Sequence, residues 1–309
     1  MAALTTLFPV FFMMALGLVS RIKGWITPEQ KAGANAIIFN VLFPVLIFNL
    51  MLTASIEAST VFIVGYVLVA FLIAMFIGKL AMPFVGEKYS HFAYYLLTSV
   101  EGGNVALPLY LSIVGASSNT VIFDIAGTFI AFVFIPIMIA RSASQGASKK
   151  DLIKNIFTNS FVLAVIFGLG LNILGGYSFL QTTAFFDLYT GTISQVTTPI
   201  VGMILFILGY DLNVDKDTLV PILKLVSVRV AFYALVIVGF FIIFPSLMAD
   251  KVFMMAVLLY FMCPTGFGLV PVISPLFKGD EDASFASAFI SLFMIVTLIV
   301  YTVLVIFVA

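Results

Sequence analysis

The stretch Thr98-Ser-Val-Glu-Gly-Gly-Asn-Val-Ala-Leu-Pro108 lies inside a long apolar block, yet its residues oppose a regular helix. Gly102 and Gly103 weaken a helix, and Pro108 removes a backbone hydrogen bond and clashes with the preceding turn. A carboxylate, Glu101, and an amide, Asn104, sit at the weak point. A second stretch has the same character: Met262-Cys-Pro-Thr-Gly-Phe-Gly-Leu-Val-Pro-Val-Ile-Ser-Pro275. In hydrocarbon, backbone groups freed by such breaks need internal partners or a polar cavity. Broken helices in corresponding positions of two halves are a sequence pointer to a transport site. The plainer reading is a pair of proline kinks that only shape packing.

The surroundings of both stretches are hydrocarbon-like. Of 309 residues, 63% are hydrophobic and 9% charged, with a mean hydropathy of +1.24. That is too little charge to coat a soluble protein of this size. The net charge of +0 supplies no bulk attraction to nucleic acid, and none is expected as a partner. A single cysteine, Cys263, excludes an internal disulfide, a CxxC redox site and a cysteine zinc cluster. A single histidine, His91, removes His-rich metal sites. Gly168-Leu-Gly170 and Gly175-Gly176 lack the strand–turn–helix context of a dinucleotide site. No cofactor, metal or catalytic residue is therefore expected. A membrane enzyme would need a charged, His-rich or Asp-rich interfacial motif, and a sensor would need a signalling domain.

Ten apolar blocks follow one another, at about 4–20, 33–53, 60–82, 92–113, 120–140, 156–174, 188–210, 222–247, 252–277 and 285–308. Their long continuous runs predict spanning helices in a lipid bilayer, not alternating barrel strands. The first block lacks the positive leader of a signal peptide and reads as a span. Twelve of the fourteen Lys and Arg lie near odd-numbered connectors. Lys251 lies near an even one, and Arg229 lies inside the eighth block. The alternation predicts cytoplasmic odd connectors, with both termini extracellular or periplasmic and a plasma (inner) membrane location.

The polar linker Arg141–Asp151 divides the chain into residues 1–145 and 146–309. Five spans per half is an odd number, so the second half would be inverted, an arrangement recurrent in secondary transporters. Short internal matches agree. Asn40-Val-Leu-Phe-Pro44 and Gln195-Val-Thr-Thr-Pro199 both carry an amide four residues before proline. Gly103 and Gly266 both lie five residues before Pro108 and Pro271.

Glu101-Gly-Gly-Asn-Val-Ala-Leu-Pro108-Leu and Pro264-Thr-Gly-Phe-Gly-Leu-Val-Pro271-Val resemble the auxin efflux carrier family. So do Asn40-Val-Leu-Phe-Pro44 and Phe277-Lys-Gly-Asp-Glu-Asp-Ala-Ser284. The resemblance implies an all-α fold of ten transmembrane helices in two inverted five-helix repeats, of the sodium/proton-antiporter and bile-acid-symporter type. Spans four and nine would be unwound and crossing. Spans one, two, six and seven would form a scaffold, and spans three to five and eight to ten a moving core. It also implies a homodimer through the scaffold. The short central linker resembles the compact bacterial branch, whose members are assigned as malate, malonate or other organic-anion permeases. Glu101 is not part of a family pattern that can be matched here.

Where two broken helices cross, half-helix N-termini suit the carboxylate of an organic-anion substrate. Gly103, Asn104 and Pro108 would line one break, with Thr265, Gly266, Gly268 and Pro271 at the other. Asn40 and Gln195 either wall the site from the scaffold side or act as interhelical glue. Three charges stand out within the apolar blocks, away from their charged ends: Glu101, Asp124 and Arg229. Intramembrane charge is functional by default, so Glu101 and Asp124 are candidates for coupling to protons. Glu101 and Asn104 could instead supply part of a sodium site in a bile-acid-type symporter. Arg229 could clamp a second carboxylate, pair with Glu101, or snorkel to the cytoplasmic interface. His91, Asp187 and Asp211 read as interfacial, and Asp280-Glu281-Asp282 as a loop and helix-start cluster. The abundant Phe and Met read as lipid-facing and packing residues.

Overall fold

The computed structural model describes residues 2–54, 58–142, 160–211, 219–266 and 269–308. Most of the central linker and Gly268 lie outside the described residues. Every element assigned among those described is helical. In chain order they are α1 (Ala2–Ile22), α2 (Pro28–Ile37), α3 (Phe43–Leu52), α4 (Ala58–Val85), α5 (Leu107–Val114), α6 (Asn119–Phe129) and α7 (Ile135–Ser142). There follow α8 (Ser160–Ile173), α9 (Gly176–Gln181), α10 (Phe186–Asp211), α11 (Leu219–Ile243), α12 (Pro245–Met248), α13 (Lys251–Phe261), α14 (Leu269–Ile273) and α15 (Asp280–Phe307).

Among the described residues, five helical runs are long and apolar enough to cross a membrane: Pro28–Leu52, Ser59–Val85, Phe186–Tyr210, Leu219–Ile243 and Glu281–Phe307. Phe8–Ile22, Leu163–Ile173 and Lys251–Phe261 are shorter apolar helices. Large apolar side chains such as Phe62, Phe76, Phe167, Leu235, Ile299 and Phe307 are exposed along these helices. An apolar exterior of this extent needs lipid or another protein against it.

Local chemistry sets the helix ends and irregularities. Thr27 caps α2 in a capping box with Gln30, with Pro28 at the first helical position. Five-residue π-helical segments occur at Ile38–Leu42, Gly102–Ala106 and Ile130–Phe134. Each ends two residues before a proline: Pro44, Pro108 and Pro136. Proline has no N–H for the carbonyl four residues earlier, and a wider turn accommodates that loss. Pro199 has the same amide-to-proline spacing as Pro44 but sits inside the continuous helix α10. There the Thr197 and Thr198 hydroxyls donate to the Ile193 and Ser194 carbonyls, at 2.8 and 2.6 Å.

The most extensive helix pairs are α1 with α10 and α3 with α8. The first is a close approach of backbones. A Cβ on Gly17 would strike the Phe206 carbonyl, and one on Gly209 the Met14 carbonyl. Small residues that bring backbones together are the usual glue of membrane helices. The second pair is tied by Asn172, whose amide donates to the carbonyls of Met51, Leu52 and Ala54 where α3 ends, at 3.0, 2.7 and 2.8 Å.

A second group packs α4 on the 3₁₀ segment Ala93–Leu97, on α6 and on α11, with α11 also against α13 and α15. Its centre is aromatic: Phe123 meets Phe240, Phe253, Tyr260 and Phe261 at centroid distances of 5.3–6.1 Å. The two interrupted segments cross inside this second group.

Candidate functional site: the crossing of two unwound segments

Residues 98–101 and 262–266 have no helical assignment. Thr98 is extended, Ser99 has a left-handed φ of 53°, and Glu101 has φ −77° and ψ 81°. The segments touch through the backbone: the Glu101 N–H donates to the Pro264 carbonyl at 2.8 Å. Pro264 cannot donate in return, so this is a single bridge rather than a ladder.

Breaking two helices in an apolar interior orphans carbonyls, and each must find a donor. At the first break the Tyr95 carbonyl takes the Thr98 hydroxyl at 2.6 Å. Leu96 takes Arg229 Nη1 at 2.8 Å, and Leu97 takes the Tyr233 hydroxyl at 2.7 Å. Thr98 takes the Thr265 hydroxyl at 2.8 Å, and Ser99 takes Arg229 Nη2 at 2.8 Å. At the second break Met262 takes the Thr297 hydroxyl at 2.7 Å, and Cys263 takes Arg229 Nη2 at 3.2 Å. All of Thr98, Ser99, Arg229, Thr265 and Thr297 are buried. Two broken chains are thus made tolerable by donors from α11, α15 and each other.

Beyond the bridge, Glu101 caps the segment Gly102–Ala106. Its Oε1 accepts the Asn104 backbone N–H at 3.1 Å and the Asn104 Nδ2 at 2.5 Å. The amide expected to donate to a substrate anion therefore turns one N–H onto Glu101. Its other end, Oδ1, is buried without a hydrogen-bond partner among the described residues. Glu101 is only 6% exposed. Asp124, on α6, reaches the same place: its carboxylate lies directly against Gly102, where a Cβ would collide with it. The Tyr260 hydroxyl donates to Asp124 Oδ1 at 3.1 Å. Two acids, an amide and a tyrosine hydroxyl are gathered around a pair of glycines. Gly103 is needed for another reason: a Cβ there would come within 2.9 Å of the Phe43 ring.

The structure brings most of the expected residues together. Glu101, Gly103, Asn104, Asp124, Thr265 and Gly266 share the crossing, and a Cβ on Gly266 would lie 3.9 Å from Glu101 Oε2. Pro108 is in the first turn of α5, and Pro271 lies within α14. Asn40 and Gln195 are exposed. They lie on the π-helical segment Ile38–Leu42 and on α10, which touch each other, and α10 also touches Gly102–Ala106. Arg229 does not snorkel to an interface: it is 0% exposed, because its carbonyl partners lie in the interior. Its Nη1 and Nη2 donate to the carbonyls of Leu96, Ser99 and Cys263.

Other acids differ from a simple helix-start cluster. Asp282 is buried, and its Oδ2 takes His91 Nε2 and the Lys278 N–H, both at 2.8 Å. Glu281 pairs with Lys88 on the surface at 2.5 Å. A cleft of about 270 Å³ lies between the end of α3 and the α5–α6 loop, lined by Thr53, Ala54, Ser117 and Asn119 among others.

Sequence reasoning missed Tyr233, Tyr260 and Thr297. Tyr233 stood in plain view four residues after Arg229, on the same helix face. Tyr260 and Thr297 carried no local signal.

A chain whose described elements are all helical, with several membrane-length helices and interior breaks capped by buried polar groups, is a multi-pass membrane protein built like a transporter. Residues 2–154 match the family described as membrane transport protein. By that match, over just under half of its length, the chain is similar to the membrane transport protein family. No curated protein matches the chain.

Proposed function

We propose that this protein is a secondary carrier that moves a small organic anion, a mono- or dicarboxylate such as malate, by alternating access. The observation that carries the reading is the crossing of two unwound segments in the interior, with Glu101, Asn104 and Asp124 beside it. Discontinuous helices meeting near mid-membrane are where such carriers bind substrate.

The full reading has ten spans in two inverted repeats, the compact bacterial organic-anion branch of the auxin efflux carriers, a plasma-membrane location and a homodimer. The pairing of helices supports the repeat. If blocks one to five repeat as six to ten, the contact of block one with seven becomes that of six with two. These are α1 with α10 and α8 with α3, the two most extensive pairs. The same pairs make a frame of blocks one, two, six and seven, against which the group holding the crossing would move. Asn40 and Gln195 would wall the site from the frame.

Glu101 and Asp124 would carry the coupling proton, since a carboxylate in this setting changes charge only by taking one up. Counterflow of labelled malate in proteoliposomes, with competing mono- and dicarboxylates, tests the substrate class. Exchange by none of them would sink it. Glu101→Gln tests coupling: uptake whose pH dependence matches the parent would remove Glu101 from that role.

A further inference from the structure

Arg229 stands apart from the substrate reading. Its guanidinium lies between the rings of Tyr233 and Phe293, at 4.7 and 5.1 Å from their centroids. Around its edge stand the carbonyls of Leu96, Ser99 and Cys263. Leu96 belongs to the last turn of the 3₁₀ segment Ala93–Leu97, and Cys263 follows the end of α13. The charge therefore sits where the carbonyl ends of both interrupted helices converge. Such ends carry partial negative charge. In carriers with broken helices, unwound carbonyls and half-helix C-termini are what coordinate a mobile cation.

We propose that Arg229 is a resident cation of the crossing: it fills, from the protein's own chain, the carbonyl cage that would otherwise take a mobile cation. The consequence is twofold. Arg229 joins α11 to both interrupted segments at once, beside the Tyr233 bond to Leu97, so α11 travels with the crossing. A small cation has no vacant place at these carbonyls unless Arg229 is removed. The geometry explains why arginine stands here. Two terminal nitrogens reach three carbonyls on two separate segments while the planar group lies over two rings, which a lysine ammonium cannot do. Nε is buried without a hydrogen-bond partner among the described residues. What the cage uses is thus the charged end of the group, the part that a free guanidinium ion reproduces.

The test is thermal unfolding of the purified full-length protein in detergent, read in sodium chloride, in choline chloride, and with millimolar guanidinium added to choline. It needs no substrate, so it stands or falls separately from the organic-anion reading. The parent is expected to melt at the same temperature in all three. Arg229→Ala and the longer neutral Arg229→Gln are expected to melt lower by about 5–10 °C in choline. Guanidinium, and more weakly sodium, is expected to raise the melting temperature of these variants and not of the parent. Equal amounts of urea, which has the same shape without charge, should not. If neither variant folds, Arg229→Lys keeps the charge with poorer geometry, and its melting is expected to respond to guanidinium and not to urea. Variants that ignore guanidinium and sodium, or a parent stabilised by sodium as much as they are, would overturn the proposal.

Discussion

The close approach of α1 and α10 lends itself to a quantitative test. A Cβ on Gly17 would strike the Phe206 carbonyl oxygen, with the Tyr210 backbone nitrogen at 2.8 Å and the Phe206 carbonyl carbon at 2.9 Å. The obstacles are backbone, so no rotamer change can relieve them. Ordinary contact begins near 3.4 Å, so the helices must part by about 1.5 Å, and a gap of about 0.5–1 Å already forfeits a quarter to a half of the dispersion energy. Overpacking costs about 1–3 kcal/mol, and backbone displacement adds to it, so Gly17→Ala should destabilise by about 2–4 kcal/mol. Gly209→Ala meets the Met14 backbone on the same face and should cost a similar amount. The sharper expectation concerns the double variant. Once one methyl has parted the helices, the second finds room already made. The pair should cost no more than about 1 kcal/mol beyond the worse single change, a coupling well outside ordinary additivity. Unfolding of the purified protein in mixed micelles by increasing SDS, followed by helical circular dichroism, gives the four stabilities. Single variants within about 0.5 kcal/mol of the parent, or strictly additive costs, would refute the reasoning.

Thr265→Val removes the donor to the buried Thr98 carbonyl with almost no change of volume. A loss of about 1–3 kcal/mol is expected, largely restored by Thr265→Ser, in the same unfolding assay. Gly102→Ala should push the Asp124 carboxylate off the crossing. Uptake in proteoliposomes should be lost while the helical circular dichroism spectrum stays unchanged. Asp282→Ala strips the bonds from His91 and the Lys278 N–H in a buried place and should cost about 2–4 kcal/mol. Lys88→Ala, at an exposed pair, should leave the melting temperature where it was.

Much of the fold is legible because it depends on short-range properties. Five of the apolar blocks coincide with membrane-length helices among the described residues, because hydrocarbon requires each segment to satisfy its own backbone. The interruptions at 98–101 and 262–266 follow from the glycines and prolines present there. The limit of local reading shows at the two amide-to-proline motifs. Asn40 to Pro44 and Gln195 to Pro199 share spacing and chemistry, yet the first forms a π-helical segment and the second continues an α-helix. Neighbours decide between those outcomes.

Scarcity of charge alone singled out Glu101, Asp124 and Arg229 and determined that the chain belongs in lipid, while the glycines and prolines determined where its helices are interrupted. What each charge does was decided only by the tertiary structure. Asp124 meets Gly102 because α6 packs against the first break, and nothing near position 124 announces that contact. Arg229 caps carbonyls more than a hundred residues away in two cases and 34 away in a third. Apolarity and helix breaking belong to a segment and travel with its sequence. Satisfying a freed carbonyl belongs to whichever helix is packed beside it, and that adjacency exists only in the folded chain.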